Sequence, residues 1–292
     1  MDLFVRQVIA GVATGGIYAC VALAIVMIYQ AIHSVNFAQG EMAMFSAFVA
    51  WQLIGWGVPY WVAFVLTIVF SFAAGVMIER VLFRPVRDAS VLSHIVVFIA
   101  LLSILNSLAG FIWDFTIKTF PSPFGAGSLF GTGLVSDHDA GMLGVTLVLL
   151  LLLYVFFSRT RIGLAMRAAA ADPVSARLVG IRVGWMVALG WGMAAAIGAV
   201  AGIMIAPVVF LEPNMMQSIL LYGFAGAVLG GLSSPAGAVV GGILVGVIEN
   251  LAGTFLPEVG RELKLSIALA VIVAVLVARP GGLFGARTVT RV

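Results

Sequence analysis

The chain has 292 residues, of which 63% are hydrophobic and only 9% charged, and its mean hydropathy is +1.19. Soluble domains are about half apolar and a quarter charged, so this chain lacks the polar groups to cover a water-facing surface, which excludes a soluble catalytic domain. The net charge of +3 does not imply nucleic acid, because the basic residues cluster between apolar runs. Cys20, the single cysteine, cannot form an internal disulfide and reads as a small core thiol.

Apolar runs fall at about 8–30, 40–56, 60–79, 91–113, 141–157, 184–211, 218–231, 236–256 and 264–278. At about 20 residues per crossing, they predict an all-α, polytopic transmembrane helical bundle. About eight spans are expected (seven to nine), some short or broken, in one transmembrane domain covering 1–292. The first run is too long for a signal-peptide core and reads as a retained span. Arg80, Arg84 and Arg87 follow the third run. Arg159, Arg161, Arg167, Arg177 and Arg182 lie between the fifth and sixth, and Arg279, Arg287 and Arg291 lie in the tail. Cytoplasmic loops collect Lys and Arg, which places these three segments inside. The 114–139 loop, with Asp114, Asp137, Asp139 and only Lys118 as a cation, is then external, and the N-terminus lies outside. Pro121, Pro123, Gly125, Gly127, Gly131 and Gly133 favour an irregular external loop. The run at 218–231 is short and reads either as a span or as one arm of a re-entrant pair with 236–256.

Three constellations stand out. Ser34 to Glu41 places Asn36, Gln39, Gly40 and Glu41 at or near membrane depth. Continued as a helix, Asn36, Gln39, Gly40 and Ala43 share one face, while Glu41 shares another with Phe37 and Phe45. A carboxylate at membrane depth is costly and usually faces a cavity or a partner. The segment is therefore either a break lining or gating a translocation path, or a tight turn at the cytoplasmic surface with Glu41 in water. Second, 223–246 contains the pairs Gly226/Gly230, Gly237/Gly241 and Gly242/Gly246, with Gly231 ahead of Ser234-Pro235. Small residues permit close helix packing and proline suits a first helical turn; close packing and a substrate-lining break both fit. Third, 159–183 reads as two short helices joined at Asp172, an N-cap before Pro173, with Gly180 as the stop. Such short helices are marginal in water. Ala168–Ala171 beside Arg167 therefore suggests docking onto another protein, the other reading being a basic loop on anionic headgroups.

No phosphate-binding GxxxxGK[ST] loop, GxSxG elbow or HExxH pair occurs. His33, His94 and His138 lack metal-ligand spacing and read as ordinary loop or interface histidines. Glu249 reads as intramembrane or interfacial. The residues give no ground for an enzyme.

In order along the chain, the segments 15–48 (with NFAQGE), IERVLFRPVR at 78–87, IGLAMRAAAADPVSARLVGIRV at 162–183, 223–249 and ARPGGLFG at 278–285 together resemble the permease family of branched-chain amino-acid ABC transporters. The likeness is to the subunit that pairs with a second, related permease. It implies a multi-pass inner-membrane importer subunit with a second permease, two cytoplasmic ATP-binding subunits and an extracytoplasmic solute-binding protein. ATP would be hydrolysed by the partners, with no cofactor on this chain, and neither nucleic acid nor catalysis would be involved. The coupling role it implies falls on Gly163, Arg167, Ala169, Ala170, Asp172 and Gly180. Asn36, Phe37, Gly40 and Glu41 match its first signature as path-lining or structural residues. Gln39 stands where the family often has His, and Ala100 where glycine is usual. These departures bear on the solute, since relatives import urea, amides and aromatic acids. A self-contained transporter driven by an ion gradient is the alternative, opposed by the absence of a clear repeat and by the few acids within the runs.

Overall fold

The structure, a computed structural model, describes residues 2–32, 34–87, 89–125, 127, 136–255, 264–279 and 281–285. His33, Gly131, Gly133, Arg287 and Arg291 lie outside the described residues. Eleven α-helices are found among those described: α1 Asp2–Ile32, α2 Gln39–Gly55, α3 Tyr60–Ile78, α4 Val91–Trp113, α5 Asp137–Arg159, α6 Arg161–Ala171, α7 Pro173–Leu178, α8 Val183–Val209, α9 Met216–Gly230, α10 Pro235–Phe255 and α11 Lys264–Ala278. The nine apolar runs each become a helix, and α6 and α7 occupy the basic segment between two of them. Six helices, α1, α3 (running on to Val86), α4, α5, α8 and α10, are long and apolar enough to cross a membrane. The other three from the runs, α2, α9 and α11, are shorter. Helix α5 begins at Asp137, so Asp137 and Asp139 belong to its first turn rather than to the loop. There they favour the positive end of the helix dipole.

The chain divides into two compact units. One comprises Met1–Val26, Phe124–Gly144 and Ser218–Val292, and the other Met27–Pro123 and Val145–Gln217.

In the second unit, α3 turns Ala63, Thr67, Ser71 and Gly75 inward and leaves Trp61, Val65, Val69 and Met77 exposed. This inverts the soluble pattern. Small residues let backbones meet, while large apolar ones suit lipid. A Cβ on Gly75 would stand 2.6 Å from the Trp191 carbonyl oxygen, and one on Gly192 2.8 Å from Val76 Cγ2, so α3 and α8 touch at backbone distance. Helix α2 joins them. Gln39 Nε2 donates to the Ala194 carbonyl at 2.9 Å, and Ser71 Oγ donates to Ser46 Oγ at 2.7 Å. Glu79–Phe83 forms a π-helical turn and Arg84–Val86 a 3-10 turn. Arg80 lies 3.9 Å over the Trp185 ring at the start of α8. Gly75→Ala is expected to destabilise the fold by about 1–3 kcal/mol, the usual cost of overpacking. At Gly144, on the part of α5 that belongs to the first unit, an added Cβ meets nothing within 4 Å, so Gly144→Ala should be neutral or stabilise by up to about 1 kcal/mol through helix propensity. Thermal unfolding in detergent checks both.

In the first unit, α9 and α10 meet through their glycines. Gly226 faces Gly242, and Gly230 faces Gly237. The turn between them uses Gly231 at φ +108°, then Ser234, whose Oγ accepts from Gly237 N–H at 3.0 Å to cap α10 at Pro235. The segment 281–285 returns to this corner, with Leu283 N–H donating to the Leu229 carbonyl at 2.9 Å and Phe284 N–H to that of Gly230 at 3.0 Å. These bonds satisfy carbonyls that a helix end leaves open. On its other flank α10 meets α1, Gly246 against Gly15 and Gly242 against Ala19. Tyr18 stacks on Tyr222 with centroids 4.9 Å apart and donates to Glu249 Oε2 at 2.7 Å. Cys20 is fully buried.

Candidate functional site: a buried carboxylate and a basic helical corner

The break between α1 and α2 is a turn, not a helical continuation. Asn36 lies before α2, where its Oδ1 accepts from Ala38 N–H at 3.0 Å. Such a side-chain turn competes with helix, and the expected shared face of Asn36 with Gln39, Gly40 and Ala43 is corrected accordingly. Phe37 is likewise outside the helix, 40% exposed, so it shares no helical face with Glu41. Gln39 and Gly40 open α2, and both are buried.

The break's depth follows from its contacts. Gln39 bonds to Ala194 and lies against Gly198, both near the middle of the long helix α8. Glu41 is only 3% exposed, which corrects the reading of a carboxylate in water. Its Oε2 accepts from Asn106 Nδ2 of α4 at 3.3 Å. The same nitrogen lies 3.0 Å from the Pro213 carbonyl oxygen and 3.2 Å from Asn214 Oδ1, on the connection after α8. Asn106 therefore joins α2, α4 and the segment 213–214. Sequence reasoning missed it; the available signal was one amide within an otherwise apolar helix. It also missed His94, which is buried, with Nδ1 3.3 Å from Ser34 Oγ and Nε2 3.0 Å from the Val86 carbonyl oxygen. This histidine fixes the start of the break and is not a loop residue.

The second region is the corner carrying α6 and α7. Thr160 caps α6, its Oγ1 accepting from Gly163 N–H at 3.0 Å and donating to the Phe156 carbonyl at 2.7 Å. Gly163 is buried against Phe156 and Phe157, and Ala169 is buried, whereas Arg167 is exposed. Asp172 caps α7 through Oδ1, which accepts from Val174 N–H at 2.9 Å and Ser175 N–H at 3.1 Å; Ser175 Oγ donates to Oδ2. These bonds, led by the Ser175 hydroxyl, hold the carboxyl below its usual value. The cap's contribution is complete above the ordinary carboxylate range and fades only as pH falls through that lowered value, so it is constant around neutrality. Gly180 adopts φ +85° and ends the segment. Beneath α6, Met27, Arg87, Met166, Arg167, Met186 and Val187 line much of a cavity of about 70 Å³. Among the described residues no cluster of three or more His, Cys, Asp or Glu fits a metal ion.

A profile described as "Branched-chain amino acid transport system / permease component" matches residues 7–277. The chain belongs to this family. It is 30% identical to the high-affinity branched-chain amino acid transport system permease protein LivH of Escherichia coli K12, covering 99% of this chain and 98% of that one. It is 31% identical to BraD of Pseudomonas aeruginosa, also described as a high-affinity branched-chain amino acid transport system permease protein, with the same coverage. A probable LivH of Methanocaldococcus jannaschii is 26% identical over 97% of this chain and 94% of the relative. Among solved structures, "PsaBC from Streptococcus pneumoniae in complex with Fab" matches with a TM-score of 0.51 and 13% identity, covering 92% of this chain and 89% of that chain. That likeness shows the fold alone. Family membership and six long apolar helices make this a multi-pass membrane protein.

Proposed function

We propose that this chain is one of two membrane-spanning permease subunits of an ATP-driven importer for branched-chain amino acids or a related small polar solute, set in the inner (plasma) membrane. The observation that carries the reading is the α6–α7 pair. Two capped helices of 11 and 6 residues are held between α5 and α8, with Arg167 and Arg177 exposed. Helices this short are marginal alone, and here they present a structured surface to a partner. Two cytoplasmic ATP-binding subunits dock there and hydrolyse ATP; this chain holds no cofactor and catalyses nothing. A second permease and an extracytoplasmic solute-binding protein complete the assembly. The two compact units act as one transmembrane domain of about eight spans, the six long helices being joined by the shorter ones. Gly163, Arg167, Ala169, Ala170, Asp172 and Gly180 couple the domain to the motor. Asn36, Phe37, Gln39, Gly40 and Glu41 form the break along the path.

The test is co-purification and transport. The chain should capture its ATP-binding partners and lose them when 163–180 is replaced by a flexible linker. The reconstituted assembly, given its binding protein and ATP, should accumulate leucine. Transport by the chain alone in ion-loaded vesicles would instead favour a gradient-driven carrier and overturn the reading.

A further inference from the structure

We propose that the three oxygens around Asn106 Nδ2 form a cage for a primary ammonium group, which Asn106 fills between transport events and which the solute's α-ammonium occupies during them. The inference deepens the proposed function and rests on it.

The argument begins with hydrogen-bond capacity. An amide NH₂ carries two donors, an ammonium three. Around Asn106 Nδ2 stand three acceptors at 3.0–3.3 Å: the Pro213 carbonyl, Asn214 Oδ1 and Glu41 Oε2. The amide cannot satisfy all three at once, whereas an –NH₃⁺ can. Charge points the same way. Buried charges are normally paired, yet α2, α4 and α8 carry no Lys or Arg, and the connection 210–215 adds only a second carboxylate, Glu212. The other titratable side chain described on α4 is His94, committed to Ser34 and Val86 near the helix start. Lys118, paired with Leu211 on that connection, donates its ammonium to Thr116 Oγ1 at 2.8 Å, so among the described residues no cation is bonded to Glu41.

The cage also has an entrance and a built support. Glu41 is buried, Asn106 partly exposed and Asn214 exposed, so the acceptors run from the interior to a surface. Gln217 Nε2 donates to Asn214 Oδ1 at 3.0 Å, fixing that oxygen. The chain reaches the cage through Phe210 at φ +63°, a conformation bulky residues rarely adopt. An antiparallel bridge between Leu211 and Lys118 then holds it there, with N···O distances of 2.9 and 3.0 Å. Strain of this kind persists where the surroundings impose it and gathers at ligand sites.

The experiment uses the assembled transporter in detergent without its binding protein, and measures equilibrium binding of radiolabelled leucine. Asn106→Ala, which empties the cage and keeps its oxygens, should raise affinity at least tenfold. Adding Glu41→Gln should remove that gain. The same carbon skeleton bearing a hydroxyl in place of the ammonium, 2-hydroxy-4-methylpentanoate, should not compete. Asn214→Ala, at an exposed position, should raise the KM for leucine uptake several-fold with kcat nearly unchanged, and it serves if Asn106→Ala fails to assemble. Equal competition by the hydroxy acid overturns the proposal, as does displacement of leucine by sodium at equal concentration, which would mark an inorganic-cation site. Wild-type uptake that is insensitive to all these changes overturns the cage alone. Absence of wild-type uptake overturns the transport reading beneath it.

Discussion

Gly163→Val is expected to lower ATP-driven uptake at least tenfold while the membrane-embedded helices stay folded. The reason is the corner between α5 and α6. The Phe156 carbonyl already accepts from Thr160 N–H at 3.2 Å and from the Thr160 hydroxyl, which in turn receives Gly163 N–H. A Cβ at 163 would press on that same carbonyl oxygen and stand 2.7 Å from Phe157 Cα. Both obstacles are backbone, so no rotamer change relieves them, and overpacking of this kind costs about 1–3 kcal/mol or more. The cheapest response is for α6 to swing away from α5, carrying Arg167 and Ala170 with it. Displacing the proposed docking surface this way would cost coupling, and each tenfold loss corresponds to about 1.4 kcal/mol. Gly163→Ala should fall between wild type and valine.

Asp172 separates geometry from charge at the same surface. Asp172→Ala removes the cap that receives Val174 and Ser175 N–H, and uptake should fall less than with Gly163→Val. Asp172→Asn keeps an acceptor oxygen at the cap and should restore most of the loss. Uptake rates of the three variants, normalised to co-purified ATP-binding subunit, check the order.

Much of this was readable from residue order alone. The apolar runs become helices because each must satisfy its backbone internally once lipid surrounds it, and Asp172-Pro173 carries its own start signal. Gly180 and Ser234-Pro235 mark ends for similarly local reasons. What the sequence withheld is partnership across distance. Nothing near Asn36 says that its side chain closes a turn rather than extending a helix. Nothing near Glu41 says that an amide 65 positions later lies against it, or that His94 anchors Ser34. The glycine spacing in 223–246 announces a small-residue face, but not which flank of α10 meets α9 and which meets α1. Local rules write caps and spans; pairing comes only from packing.

That division of α10 into two flanks sets the other large expectation. Gly241→Leu should abolish recovery of folded protein. Gly241 lies against the Gly226 carbonyl oxygen and 2.7 Å from Gly230 N, measured from an added Cβ, while Gly242 meets Ala19 of α1 at once on the next flank. A leucine at 241 therefore cannot be accommodated by sliding α10 away from α9, since Gly242 and Gly246 already touch α1 on the other side. Helices pressed together only by packing have no hydrophobic drive to reclose in lipid, so separation is not offset by burial elsewhere. Gly226→Ala, which meets Gly242 Cα at 2.6 Å, should cost about 1–3 kcal/mol alone. Combined with Gly241→Ala it should depart from additivity, because the two face one contact. Size-exclusion profiles of fluorescently tagged variants provide the measurement, with Gly144→Ala as the control that leaves the peak intact. A monodisperse Gly241→Leu peak at wild-type yield would show that α10 is not held from both flanks.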